Sequence, residues 1–198
     1  MLSLEASRTG RQFQRYDEGC RQVVGCIPYR YKKGNQYIED LEVLLISSQK
    51  GQSFFFPKGG WEIDESMEEA ASRETQEEAG VIGFVECQLG KWRFQSKSQN
   101  TIHEGYMFPM RVTKELDSWP EKNVRQRIWM SVDEAREVCA HPWMKKALDE
   151  FVRRLVLQQQ KEEENQTSCA IQFFRTEEQR IVGIGAQNGE EEVGLLPC

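Results

Sequence analysis

Between Arg21 and Ser131 the apolar residues fall in short runs bounded by Gly, Pro and polar clusters, and beyond Val132 they recur at helical spacing. RQVVGCIPYRY reads as a first strand, KKGNQYIED as a turn-rich connection, and LEVLLISS as a second strand buried on both faces. SFFFPKGG is a short strand stopped by Pro57 and opened into a loop by Gly59 and Gly60. VECQLGKWRFQS and GYMFPMRVT are strand candidates separated by a polar loop around His103, and QRIWMS is a further short strand. VDEAREVCA and PWMKKALDEFVRRLVLQQQ have helical spacing; in the second, Trp143, Met144, Ala147, Leu148, Phe151, Val152 and Leu155 form one core-facing stripe.

One further helix breaks the ordinary pattern. Ser66 and Glu69 make an S-x-x-E capping box, and Gly80 stands at the far end as a C-terminal cap. At about 100° per residue, Met67, Ala70 and Ala71 lie on one stripe, and Glu74, Glu77 and Glu78 continue it. Three carboxylates point where a core belongs. Desolvating them together costs several kcal/mol per ion unless a cation compensates, and a hard divalent metal with oxygen ligands is the natural partner. Arg73 lies one turn before Glu77, where it can hold a carboxylate in place. Gly59 and Gly60 leave backbone amides near the start of the helix, where an anion is favoured, so a phosphate could lie between glycine loop and metal.

Strands interleaved with helices predict an α/β/α sandwich with a central mixed β-sheet. The absence of G-x-G-x-x-G after the first strand argues against a doubly wound dinucleotide fold. The expected organisation is a lead-in over 1–19, a catalytic body over 20–157 and a disordered acidic tail over 158–198, in which AIQFFR could dock. The net charge of −6 belongs mostly to that tail, which carries eight acids against three bases, so a basic pocket in the body remains open. No apolar run approaches the roughly 20 residues of a membrane span. Six scattered cysteines without a C-x-x-C pair, and only two histidines, lack zinc-ligand spacing and fit free thiols in a reducing compartment. MLSLEASRTGRQFQR has no signal-peptide core; its arginines and serines leave a mitochondrial address open beside a cytoplasmic or nuclear one.

Gly59, then Glu65 after five residues, then RETQEEAGV from Arg73 after seven more, resembles the Nudix box, G-x5-E-x7-R-E-U-x-E-E-x-G-U with U aliphatic. The one departure is Thr75 at an aliphatic position, nearly isosteric with valine. The resemblance implies a hydrolase of diphosphate linkages dependent on Mg²⁺, or Mn²⁺. In it Glu74, Glu77 and Glu78 ligate metal, Arg73 and Glu65 orient them, Gly59 and Gly60 shape the loop, and Glu77 is the candidate to accept the proton of the attacking water.

Most of the body also resembles the diphosphoinositol polyphosphate and diadenosine polyphosphate branch of that family, plant members in particular. The matching pieces are RYD at Arg15, ISS at Ile46, PKGGWE, HEGY at His103 and WPEKNVRQRIW. A small-molecule polyphosphate of that kind needs cationic contacts, for which Arg15, Arg21, Lys58, Arg125 and Arg127 are candidates, with Ser47, Ser48 and His103 as hydrogen-bond partners. His141 is read as structural, and Trp61, Trp92, Phe94 and Trp119 as core packing in preference to adenine stacking. ADP-ribose, dinucleotides or RNA caps are alternative substrates, and a non-catalytic binding module is a third reading. The lack of a basic stripe interleaved with aromatics argues against RNA.

Overall fold

The computed structural model describes residues 10, 12–32, 37–96 and 101–185, with side chains as far as residue 165. Nine strands form one mixed sheet: β1 (Tyr16–Asp17), β2 (Cys20–Tyr31), β3 (Leu41–Ser47), β4 (Phe54–Phe55), β5 (Lys58–Gly60), β6 (Val81–Val85), β7 (Gly90–Gln95), β8 (Ile102–Glu115) and β9 (Arg127–Ser131). Its central path runs β4-β3-β2-β8-β6, with β1 and β5 added to β2, β7 to β8 and β9 to β3. The pair β2 and β8 is parallel and the others are antiparallel. As the largely apolar run predicts, β3 is buried along its whole length, Glu42 included.

Helices α1 (Met67–Ala79), α2 (Val132–Val138) and α3 (Pro142–Gly185), with a short 3-10 turn over Ile38–Asp40, complete the described elements. Cys26 reaches the Ala71 carbonyl of α1, whereas Tyr29 packs its ring on Phe151 of α3, 5.0 Å between centroids. Three residues apart on one strand, these side chains leave opposite faces, so α1 and the start of α3 cover the two sides of the sheet. Trp143, Met144, Ala147, Leu148 and Phe151 are buried as the stripe predicts.

Four expectations change, the first being that His103, expected in a polar loop, stands buried in β8. VECQLGKWRFQS contributes to two strands: β6 and β7 pair with successive stretches of β8, because Pro109 in β8 has no N–H to offer a continuous partner, and the chain turns where Glu86 N–H reaches the Pro109 carbonyl. Gly59 and Gly60 stand in β5, paired with β2, not in an open loop. The helical backbone of α3 runs on to Gly185 through the stretch read as disordered; from Trp143 to Val182 the chain has no Pro or Gly and is rich in Gln, Glu, Lys and Arg, all good helix formers. The chain divides into two units between Arg153 and Arg154. AIQFFR has helical backbone, its side chains being outside the described ones, as are residues 1–9, 11 and 186–198. Among the described residues no helix is long and apolar enough to cross a membrane.

The α1-facing side of the sheet carries a buried acid, Glu104, held by Lys91 (2.8 Å), Arg93 (2.7 Å) and Gln22 (3.1 Å), with Tyr106 donating to Gln22 at 2.8 Å. The Lys91 and Arg93 hydrogen bonds depress the Glu104 carboxyl to about 2. A depressed carboxylate contributes stability above its unfolded pKa and loses it as pH falls toward the folded value. Discounting for the exposed partners, Glu104→Gln should cost about 2 kcal/mol at pH 7, and the gap from wild type should shrink by about half by pH 3. Denaturant unfolding of both chains at the two pH values measures this; an unchanged gap would refute it.

Candidate active site

Helix α1 starts and stops as its sequence demands. Ser66 accepts the Glu69 N–H while Glu69 accepts the Ser66 N–H, and Gly80 takes the left-handed conformation (φ 63°), pressed against Trp119 where a Cβ would not fit. Ala70, Ala71, Thr75 and Ala79 bury the helix against the sheet. The Thr75 hydroxyl, out of place by the family pattern, is satisfied by donating to the Ala71 carbonyl at 2.7 Å.

Arg73 organises the acidic stripe. Its Nε and Nη2 grip both oxygens of Glu65 at 2.9 and 2.7 Å, Nη2 also reaches the Gly60 carbonyl at 3.0 Å, and Nη1 reaches Glu74 at 2.8 Å and Glu77 at 3.4 Å. Glu65 is fixed in turn by accepting the Glu62 N–H at 3.1 Å. Glu78 accepts the Lys58 N–H at 2.8 Å and an Arg125 N–H at 2.8 Å. Burial pushes the Glu78 carboxyl up to about 7 against the pull of Lys58 and Arg125, and raises Glu74 as well. Burial lowers the Lys58 ammonium, which the Glu78 charge partly restores.

Glu74, Glu77 and Glu78 line one wall of a cleft of about 800 Å³, with Arg21, Lys58, Gly59 and Gly60 beside them. The lining also includes the rings of Trp92, Phe94, His103, His141 and Trp143. Phe94 and Trp143 stack at 4.6 Å and 9°, and the Trp143 indole N–H is buried without a partner.

Of the residues expected in the site, Glu74, Glu77, Glu78, Lys58, Gly59, Gly60, Arg21 and His103 come together at the cleft. Glu65 and Arg73 stand behind the carboxylates as supports. Five expected substrate contacts are engaged with the protein instead. Arg15 stacks on Trp61 at 4.0 Å and reaches the Glu62 and Ile63 carbonyls; Arg127 donates to the Ala79 and Gly80 carbonyls at the end of α1. Ser47 accepts the Gln126 N–H at 3.0 Å, and Ser48 accepts the Gln52 N–H in a turn. Arg125 binds Glu78, Glu121 and the Ser47 carbonyl. His141, read as structural, and Trp92 and Phe94, read as core, line the cleft, as does Glu121, which the box pattern does not include.

The two glycines work by close approach. A Cβ on Gly59 would sit 1.9 Å from the Glu74 carboxylate, and one on Gly60 2.1 Å from Gln14. The donor set facing the cleft from α1 is entirely carboxylate, which suits a hard divalent cation, and the raised Glu74 and Glu78 are what a bound cation would lower again. As they stand, turned toward Arg73 and Arg125, no three of the described acidic, His or Cys side chains converge as a metal cluster. The residue types fit a divalent cation.

The NUDIX domain model matches residues 21–155. Nudix hydrolase 17, mitochondrial, of Arabidopsis thaliana is 66% identical over 152 residues, covering 76% of this chain and 84% of that protein. Diphosphoinositol polyphosphate phosphohydrolase 3-alpha of Mus musculus is 34% identical over 131 residues, covering 64% of this chain and 74% of that one. In structure, a NUDIX hydrolase from Nitrosomonas europaea aligns with a TM-score of 0.57 at 20% identity, covering 68% of this chain and 89% of that one, a likeness of fold. The chain belongs to the Nudix family and is a plant-type Nudix hydrolase.

Gly59→Ala should leave stability within about 1 kcal/mol, because the atom it meets is the movable end of Glu74, yet lower kcat about 100-fold by displacing that carboxylate. Thermal unfolding with steady-state kinetics checks both parts. Wild-type turnover in the folded variant would contradict the close-approach argument.

Proposed function

We propose that the protein hydrolyses phosphoanhydride bonds of diphosphoinositol polyphosphates, diadenosine polyphosphates or both, with Mg²⁺ or Mn²⁺. The observation that carries this reading is a single cleft in which Arg21 and Lys58 stand next to the three carboxylates of α1. Such a pairing suits a substrate whose phosphates need cations at one point and a metal at the next. The cationic set is smaller than the sequence suggested, since Arg15, Arg125 and Arg127 are held by the protein, while Lys146 joins the cleft lining. The mouse relative's name supports the diphosphoinositol polyphosphate class.

Enzymes of this family generally use divalent metals, and Glu74, Glu77 and Glu78 are the residues that would hold one here. When bound, the metal supplies charge neutralisation of the diphosphate and acidification of a water. Lys58 and Arg21 orient the phosphates. Glu77, which Arg73 reaches at 3.4 Å, accepts the proton as water attacks phosphorus and the anhydride P–O bond breaks, with the departing phosphate leaving as the anion.

The aromatic lining favours a second reading within the same chemistry. Trp92 and the stacked pair Phe94 and Trp143 offer surface for an adenine, as in a diadenosine polyphosphate or ADP-ribose. A mitochondrial location is supported by the arginine- and serine-containing N-terminus and by the name of the Arabidopsis relative.

Hydrolysis of diphosphoinositol pentakisphosphate, diadenosine hexaphosphate and ADP-ribose at equal concentration in Mg²⁺, with Glu78→Gln as control, tests the assignment. One of the first two should be the best substrate, and Lys58→Ala should lower its kcat/KM about tenfold or more. Preference for ADP-ribose would overturn the polyphosphate assignment, and activity surviving in Glu78→Gln would overturn the site.

A further inference from the structure

Ahead of β1, the chain at Gln14 runs antiparallel to Glu62, just past the end of β5. Arg15 N–H donates to the Trp61 carbonyl and Ile63 N–H to the Phe13 carbonyl, both at 2.8 Å. This strap carries the Gln14 side chain over Gly60, where its Oε1 accepts from Arg21 Nε at 2.7 Å. A Cβ on Gly60 would sit 2.1 Å from that same oxygen and 3.0 Å from Arg21 Nη2, so the amide and the guanidinium rest together against bare backbone. Arg21 lines the cleft, and Gln14 stands behind it.

The Gln14 amide has one workable orientation. Its Nε2 faces the carbonyls of Arg15, Gln22 and Trp61 at 3.1, 2.9 and 3.1 Å. Turned over, the amide would aim its oxygen at three carbonyls and its NH₂ at a guanidinium, which has no acceptor. Each of those carbonyls already accepts a backbone N–H: Trp61 from Arg15, Arg15 from Gln22 at 3.1 Å, and Gln22 from Trp61 at 3.2 Å. The amide bonds therefore add little to backbone satisfaction. What they fix is the direction in which the Gln14 oxygen points.

Arg21 has need of that hold. It shares the cleft with Lys58, and its charge is among those that lower the Lys58 ammonium, so the two cations repel before an anion arrives. An arginine side chain also has much rotamer freedom to lose on binding. A group that fixes it beforehand acts on affinity, not on the chemical step.

We propose that Gln14 is a positioning residue for substrate binding: without touching substrate, its amide aims Arg21 into the cleft, so that the strap ahead of β1 sets the affinity for the substrate's phosphates. This rests on the reading of Arg21 as a phosphate contact of the hydrolytic cleft.

The test measures kcat, KM and thermal unfolding of the full chain with the best of diphosphoinositol pentakisphosphate, diadenosine hexaphosphate and ADP-ribose in Mg²⁺. Gln14→Met, close in size, removes the acceptor and should raise KM about fivefold with kcat within about twofold. Gln14→Glu offers Arg21 a carboxylate but sets it against three carbonyls, and should raise KM at least as far. In an Arg21→Ala background Gln14→Met should add nothing, because it acts through Arg21, whereas a merely structural role would add its own loss. Unchanged KM in Gln14→Met, wild-type KM in Gln14→Glu or an additive loss in the double variant would overturn the proposal. Should Gln14→Met fail to unfold cooperatively, Gln14→Glu decides by the same readout. Arg21→Ala separates the two levels. If it raises KM while Gln14→Met does not, the Gln14 proposal alone fails; wild-type KM in Arg21→Ala, or no turnover of any of the three compounds, fails the reading of the cleft beneath it.

Discussion

A single guanidinium keeps the acidic stripe of α1 together. Three carboxylates along one helix face repel, and their burial raises the cost of each charge. Arg73 counters both by bonding Glu74 and Glu77 while Glu65 grips it from the other side. Glu65 and Glu74 keep the guanidinium protonated despite its burial. Its bond to the Gly60 carbonyl fastens the helix to β5, the strand that places Lys58 at the cleft. A bidentate grip on Glu65 also fixes the plane of the guanidinium, which a point charge could not do.

From that anchor the site extends in two directions across the sheet. Toward β5, glycine at position 59 lets the Glu74 carboxylate lie against the strand, and Gly60 leaves room for Gln14, which in turn accepts from Arg21 at 2.7 Å. Toward β9, Arg125 and Arg127 collect Glu78 and the end of the helix. Cations near the carboxylates thus divide into supports outside the cleft lining, Arg73, Arg125 and Arg127, and Arg21, Lys58 and Lys146, which line it, Arg21 while also donating to Gln14.

Sequence spacing carried the catalytic helix well because capping and periodicity are local. Ser66, Glu69 and Gly80 mark its ends, and Glu74, Glu77 and Glu78 share a face whatever the rest of the chain does. The two flanks of the cleft were less legible. Arg15, Arg21, Arg125 and Arg127 look alike in a sequence, and only tertiary contacts reveal that Arg21 alone among them lines the cleft. Trp92, Phe94 and Trp143 read as core because an aromatic packed on one side and facing a cleft on the other has the same spacing as a buried one. Glu121 sat in a segment already matched to the family, but its position follows from its N–H bond to the Glu77 carbonyl, which leaves no pattern in neighbouring residues. The loop expected at Gly59 failed for the opposite reason: glycine signalled freedom, where the structure uses it for lack of a side chain.

The most direct test of this account is Arg73→Lys in the full chain, which keeps the charge and removes the fork. Turnover of the best substrate should fall about 100-fold or more, since small displacements of catalytic groups cost that much, while cooperative unfolding is retained. A folded Arg73→Lys protein with near wild-type kcat would show that charge alone orders the carboxylates and would contradict the central role of the guanidinium geometry.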